Sequence, residues 1–142
     1  MNFTRSSKTI GAALLIASFC LFSVVSAQAQ TERLKATIPF AFYAGDTLMP
    51  AGDYQVEKIV NGVTRLYNLE SYESVMFQTV QVSNPAREDD SGKIVFTRYG
   101  DDYFLSEMWW AGEDGRKSMP SKRETELAKT ITPDQTVTVA HR

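Results

Sequence analysis

Glu107 lies two residues before Trp109 and three before Trp110. A carboxyl group held against an indole loses hydration and its pKa rises, which is how an acid is kept protonated for work on a glycosidic oxygen. That chemistry needs a second carboxylate. Glu70, Glu73, Asp101 and Asp102 are all open to the role, and spacing selects none of them. The competing reading is a strand carboxylate satisfied by Arg98 or Arg116, and the composition favours it. Asp89-Asp90-Ser91-Gly92, Asp101-Asp102 and Glu113-Asp114-Gly115 carry oxygens suited to calcium, yet none follows the alternating 12-residue calcium-loop register. Acids beside glycine are also ordinary turn chemistry, and that is the expectation for all three. The single histidine, His141, stands next to the C-terminus, where chains fray and a base or ligand is poorly positioned. Neither a glycine-rich phosphate loop nor a Gly-x-Ser-x-Gly elbow is present. The chemistry therefore reads as noncatalytic, with no cofactor and no metal.

The concentrated feature is aromatic. Tyr99, Tyr103, Phe104, Trp109 and Trp110 fall within twelve residues. Strict alternation along a strand places Phe104, Met108 and Trp110 on one face, with Tyr103, Leu105, Glu107 and Trp109 on the other. Large apolar groups on both faces mark a central strand, a cavity wall or a contact surface. Tyr99, Tyr103, Glu107, Trp109 and Trp110 are accordingly the candidate recognition residues.

Strands must position them. Leu34, Ala36, Ile38, Phe40 and Phe42 alternate in an extended segment, and Pro39 within it points to a sheet edge or a bulge. Pro50-Ala51-Gly52-Asp53 reads as a turn before a strand carrying Tyr54, Val56 and Val60, with Lys58 breaking its pattern. Asn61-Gly62 is the strongest hairpin signal and predicts a type I′ turn into Val63 to Leu69. A strand over Val75 to Val82 leads to a charged loop, Arg87 to Gly92. A second hairpin joins Lys93 to Tyr99 and Asp102 to Trp110 around Gly100-Asp101, and a turn over Ala111 to Gly115 leads into Arg116 to Met119. Ser121 with Glu124 three residues on forms a capping-box pattern after Pro120. A short helix should follow, docked on the sheet by Leu127. Thr136 to Ala140 is a brief candidate for a terminal strand. The fold class predicted is all-β, a small antiparallel meander of six or seven strands with one short C-terminal helix. It closes as a barrel or packs as a two-sheet sandwich, and the barrel is preferred because it removes edges.

Three stretches carry a resemblance: Ile38-Pro39-Phe40-Ala41-Phe42, then Leu48-Met49-Pro50-Ala51-Gly52-Asp53-Tyr54, then Arg98-Tyr99-Gly100-Asp101-Asp102-Tyr103-Phe104-Leu105-Ser106-Glu107 with Trp109. With the charged segment Ser121 to Ala128, they resemble a group of small exported bacterial proteins of acidobacterial type, for which no activity is established. The resemblance implies a small exported domain and transfers no catalytic residue.

The start of the chain agrees with export. Arg5 and Lys8 precede an apolar run from Ile10 to Val25, and Ala27-Gln28-Ala29 is a small-x-small cleavage site. The run holds 16 residues and is interrupted by Ser18 and Ser23, short of the roughly 20 that span a bilayer. Residues 1–29 read as a signal peptide and 30–142 as one β-rich domain. Cleavage removes Cys20, the only cysteine, so disulfides and thiolate chemistry leave with it. It also removes two of the 15 basic side chains, leaving 13 against 17 acidic ones and a formal side-chain charge of -4. That balance argues against nucleic acid and anionic membrane surfaces as partners. The class expected is an exported noncatalytic structural or interaction module of the cell envelope or extracellular space, periplasmic or extracellular in location, binding a protein, itself or a glycan. The alternatives are a small-molecule-binding barrel and a carboxylate-based glycan hydrolase. Intact-mass measurement of the protein from its native host should give a chain beginning at Gln30; a retained Met1 or a lipid on Cys20 contradicts the leader.

Overall fold

The computed structural model describes residues 33–60, 62–83 and 91–141. All belong to the unit Thr31–Arg142. The predicted leader, Asn61, the Asn84-Pro85 strand end and most of the charged loop lie outside the described residues.

Among the described residues, ten strands and one helix follow in chain order: β1 (Arg33–Ile38), β2 (Phe42–Ala44), β3 (Thr47–Met49), β4 (Gly52–Lys58), β5 (Val63–Asn68), β6 (Ser74–Val82), β7 (Lys93–Tyr99), β8 (Asp102–Trp109), β9 (Gly115–Ser118), α1 (Lys122–Leu127) and β10 (Gln135–Ala140). The all-β class with one short C-terminal helix is as expected. The path through the sheet is β1-β4-β5-β6-β9-β8-β2-β3, with β7 on β8 and β10 on β7.

Three features depart from a simple closed meander. First, the sheet is not closed: β1 and β10 come near each other without forming a ladder. Second, β2 runs parallel to β8, with Tyr43 opposite Phe104. Third, an unforeseen hairpin of β2 and β3 turns at Gly45-Asp46, so β1 skips it and pairs with β4. Pro39 explains the third departure. The ring removes a ladder donor, β1 stops at Ile38, and the alternating segment becomes two strands.

The apolar alternation nevertheless finds one core. Leu34, Ala36 and Ile38 of β1 meet Tyr54 and Val56 of β4, Leu66 of β5, Ile94 and Phe96 of β7, and Phe42 from the hairpin. Phe42 is edge-on to both Tyr54 and Phe96, each at 5.2 Å between ring centres. Burying the Tyr54 phenol requires a partner, since an unpaired buried hydroxyl costs free energy. Its O–H donates to the Pro50 carbonyl at 2.5 Å, and the Asn68 side chain also hydrogen-bonds to it. Burial first of all raises the phenol pKa. Asn68 Oδ1 in turn accepts the Glu70 and Ser71 N–H groups at 2.8 and 2.9 Å. One buried tyrosine therefore ties the Pro50 turn to the turn after β5.

Helix α1 starts where the capping box places it. Ser121 Oγ accepts the Glu124 N–H at 3.0 Å, and the Glu124 carboxylate takes the Ser121 N–H in return. Leu127 does not dock it: α1 buries no residue. Polar contacts hold it instead. The Lys122 N–H donates to Asp46 Oδ1 at 3.1 Å, Arg123 pairs with Asp102 at 2.9 Å, and its guanidinium lies 5.0 Å from the Tyr43 ring centre.

Between β4 and β5, Val63 N–H donates to the Val60 carbonyl at 3.0 Å and Gly62 takes φ 78°. A Cβ on Gly62 would stand 2.8 Å from the Thr79 carbonyl oxygen, whereas one on Gly100, at φ 60°, would meet open space. Both substitutions to alanine carry left-handed strain, but only the first adds a backbone clash. Urea denaturation should show Gly100→Ala losing about 1 kcal/mol and Gly62→Ala losing about 1 to 3 kcal/mol more. Equal midpoints would remove the close approach of Thr79.

Candidate functional site

Strand β8 carries most of the candidate residues and is the branch point of the sheet. It pairs with β7 along one edge; on the other it meets β9 at Glu107 and Met108, and β2 at Phe104. Its ladder with β7 is irregular. Val95 stands opposite Glu107 and the next residue, Phe96, opposite Leu105, so Ser106 is an extra residue in a β-bulge. An extra residue inverts which side chains face inward. Tyr103 and Leu105 point to the core before the bulge, and Met108 and Trp110 after it. Phe104 before the bulge, and Glu107 and Trp109 after it, lie on the outer face. Strict alternation had grouped Phe104 with Met108 and Trp110, and Tyr103 and Leu105 with Glu107 and Trp109. The bulge corrects both sets.

The five recognition candidates therefore do not form one patch. Tyr103 stacks on Phe40 at 4.0 Å, with the Arg98 guanidinium 5.4 Å from its ring centre. Tyr99 meets Phe104 edge-on at 5.7 Å, and Tyr43 stacks on the same ring at 5.1 Å. Phe104 is only 1% exposed although it lies outside the main core, because this outer cluster sits beneath Arg123 of α1. Burial and the nearby Glu124 charge raise the Tyr99 phenol.

Glu107 accepts a hydrogen bond from Trp109 Nε1 at 3.1 Å. Neither expected arginine is its ladder partner: Lys117 and Val95 are. Arg98 instead donates to the Gly100 carbonyl at 2.5 Å and faces Asp101 at 3.7 Å. The proposed acid partners are distant as well. Asp101 and Asp102 lie at the far end of β8, roughly 15 Å along the strand, and Asp102 is paired with Arg123. Glu70 and Glu73 belong to the β5–β6 turn, and those strands stand three and two positions from β8 in the sheet. The Trp109 indole covers Gly115, where a Cβ would come within 2.5 Å of the ring. Only glycine admits the indole there.

Trp110 is buried, at 3% exposure, with the Lys58 ammonium 4.2 Å from its ring centre. It adjoins an open cleft of about 610 Å³ lined also by Arg33, Leu34, Gly92, Ala111 and His141. His141 is held better than a frayed end: its N–H donates to the Gly92 carbonyl at 2.7 Å. The acidic turn at Glu113-Asp114 is engaged in protein contacts. Glu113 pairs with Lys58 and Asp114 accepts from Gln81 at 2.8 Å. Among the described residues no group of His, Cys, Asp and Glu could hold a metal ion.

Two features escaped the sequence reading. The outer face of β4 carries Glu57, almost buried between Arg65, with which it pairs, and Arg33 at 3.5 Å, while Gln55 Nε2 donates to it at 2.6 Å. Burial raises its carboxyl, and the hydrogen bonds from Arg65 and Gln55 with the two positive charges outweigh that, leaving it below the ordinary value. The opposite charges sit directly across the ladder, Arg33 and Arg65 each opposite Glu57, a register that no local pattern supplies. The second feature is apolar exposure. Met76 and Val80 on β6 are 65% and 48% exposed, and Met119 after β9 is 51% exposed. Met76 and Met119 line a groove of about 330 Å³ against the Gly45-Asp46 turn.

An open, branched all-β sheet with one capped helix is thus the class of this domain. Comparison with protein-family profiles, curated proteins and solved structures finds no match to the chain.

The two tryptophans should respond differently to truncation. Trp110→Ala removes a core side chain and should cost about 3 to 5 kcal/mol. Trp109→Phe keeps a ring on Gly115 but loses the donor to Glu107, and should cost about 0.5 to 1.5 kcal/mol. Urea titrations followed by circular dichroism test the contrast, and losses in the reverse order would invalidate the assigned faces.

Proposed function

We propose that the chain is an exported, noncatalytic structural or interaction module of the cell envelope or extracellular space. The observation that carries this reading is the unequal use of large side chains. The β8 aromatics are largely spent on packing, whereas Met76 and Met119 stay exposed and line one groove. Flexible thioether side chains adapt to a partner surface, and exposed apolar patches are a mark of interaction sites. The engagement of Glu107 by Trp109 supports the absence of acid–base chemistry, and export rests on the leader pattern of residues 1–29.

A second reading, a small-molecule carrier, draws on the open cleft beside Trp110. Its volume suits a small ligand. It is a surface cleft, however, and the inward side chains of the sheet fill the interior with Tyr54, Phe42, Phe96, Leu105 and Met108 rather than leaving a barrel lumen.

Retention of the purified protein on cell-wall and exported-protein fractions of its host separates these readings. The double variant Met76→Lys, Met119→Lys should weaken retention at least tenfold, and Ala111→Trp, which narrows the cleft, should leave it unchanged. Retention abolished by Ala111→Trp alone would favour the carrier. Release of soluble products from cell wall by the wild type, lost in a folded Glu107→Gln, would overturn the noncatalytic reading.

A further inference from the structure

Three strands end the sheet with an edge that no described residue pairs: β1, β3 and β10. Unpaired edges invite another strand, and proteins discourage this with charge or by keeping the edge short. β3 has three residues. β1 presents Arg33 and Lys35 on its exposed positions. β10 has neither protection. Gln135-Thr136-Val137-Thr138-Val139-Ala140 is six residues long, uncharged, free of proline and glycine, and rich in β-branched side chains.

Its backbone groups can be assigned from the neighbouring ladder. The His141 N–H donates to the Gly92 carbonyl, and β10 pairs antiparallel with β7, placing Val139 opposite Ile94 and Val137 opposite Phe96. Hydrogen-bonded positions alternate, so Val139 and Val137 direct their N–H and C=O groups to β7. Thr136, Thr138 and Ala140 direct theirs to the open edge. All three of these side chains are exposed, whereas Val137 and Val139 pack partly against the core.

The geometry points to a second copy of this chain as the occupant, paired antiparallel along β10 about a twofold axis at Thr138. In that register Thr138 faces Thr138 of the other copy, Val137 faces Val139, and Thr136 faces Ala140. Each face of the joined sheet keeps its character: valine meets valine on the core side, and small or hydroxyl side chains meet on the outer side. No charge opposes its like across the pair. The exchange forms roughly six backbone hydrogen bonds, with both copies using the same surface. An interface of one strand per copy is small, so the association is weak and concentration-dependent. This deepens the interaction-module reading by naming one partner, but depends on neither the methionine groove nor the cleft.

Sedimentation equilibrium of the protein from an exporting host, across about 10 μM to 1 mM, should show a monomer–dimer equilibrium. Thr138→Lys sets two ammonium groups together at the axis and should weaken dimerisation at least tenfold; Thr138→Glu should do the same. Mixing the two variants should restore a dimer of one copy each. A wild type that stays monomeric throughout overturns the proposal. So does a dimer indifferent to both substitutions, or variants that fail to recover on mixing while retaining native circular dichroism. Any of these results leaves the cell-wall retention experiment standing, so the two readings fail separately.

Discussion

The extra residue at Ser106 is the constraint on which the arrangement of β8 depends. Without it, Leu105 and Met108 could not both enter the core from one strand, because residues three apart on a regular strand face opposite ways. With it, Leu105 meets Phe96 and Met108 meets Ile94 in register, and Trp110 continues the inward row. The same inversion sends Phe104 outward into a separate cluster with Tyr43 and Tyr99, where the parallel strand β2 and the tip of the β7–β8 hairpin converge. One inserted residue thus builds two apolar clusters on opposite faces of one strand, and β8 can serve β7, β9 and β2 together.

Polar groups hold the elements that the core reaches least. Helix α1 is too short to be stable by itself, and its attachment comes from the capping box, Arg123 with Asp102, and the guanidinium near Tyr43. On the outer face of β4, Glu57 pairs with Arg65 and Arg33 at once. A nearly buried carboxylate with two cations and an amide around it retains its charge because the hydrogen bonds and charges offset desolvation. Truncating Arg65 or Gln55 leaves the nearly buried Glu57 carboxylate with fewer partners, whereas both guanidinium groups keep access to water, so the cost falls on the carboxylate.

The open sheet leaves edges that a closed one would remove. A closed barrel has no edges and would have spent β10 on β1. Here the seam remains, and the surface keeps an uncharged terminal strand, a methionine-lined groove and a cleft at Trp110. These features occupy different elements. Under the proposed interaction reading, recognition would fall on edges and turns, while the aromatic-rich strand that dominates the sequence serves mainly as scaffold.

Much of the fold is legible in the sequence alone. Alternation exposed the strands, two-residue glycine turns located the hairpins at Gly62 and Gly100, and Ser121 with Glu124 located the helix, because each depends on dihedral preferences and hydrogen bonds within a few residues. The candidate site was legible only in composition: Tyr99 to Trp110 stood out, but its division into two faces did not. A bulge shows itself as a register shift against a partner, and the partner Val95-Phe96 is not written into β8. The separation of Glu107 from every acid proposed for it, the burial of Trp110 and the exposure of Met76 and Met119 likewise depend on which strands become neighbours. Sequence determined the periods and the turns of this protein. Tertiary structure decided the strand order, the inversion at Ser106 and the open β1–β10 seam, because these are set by long-range packing, in which each side chain's position depends on a neighbour far away along the chain.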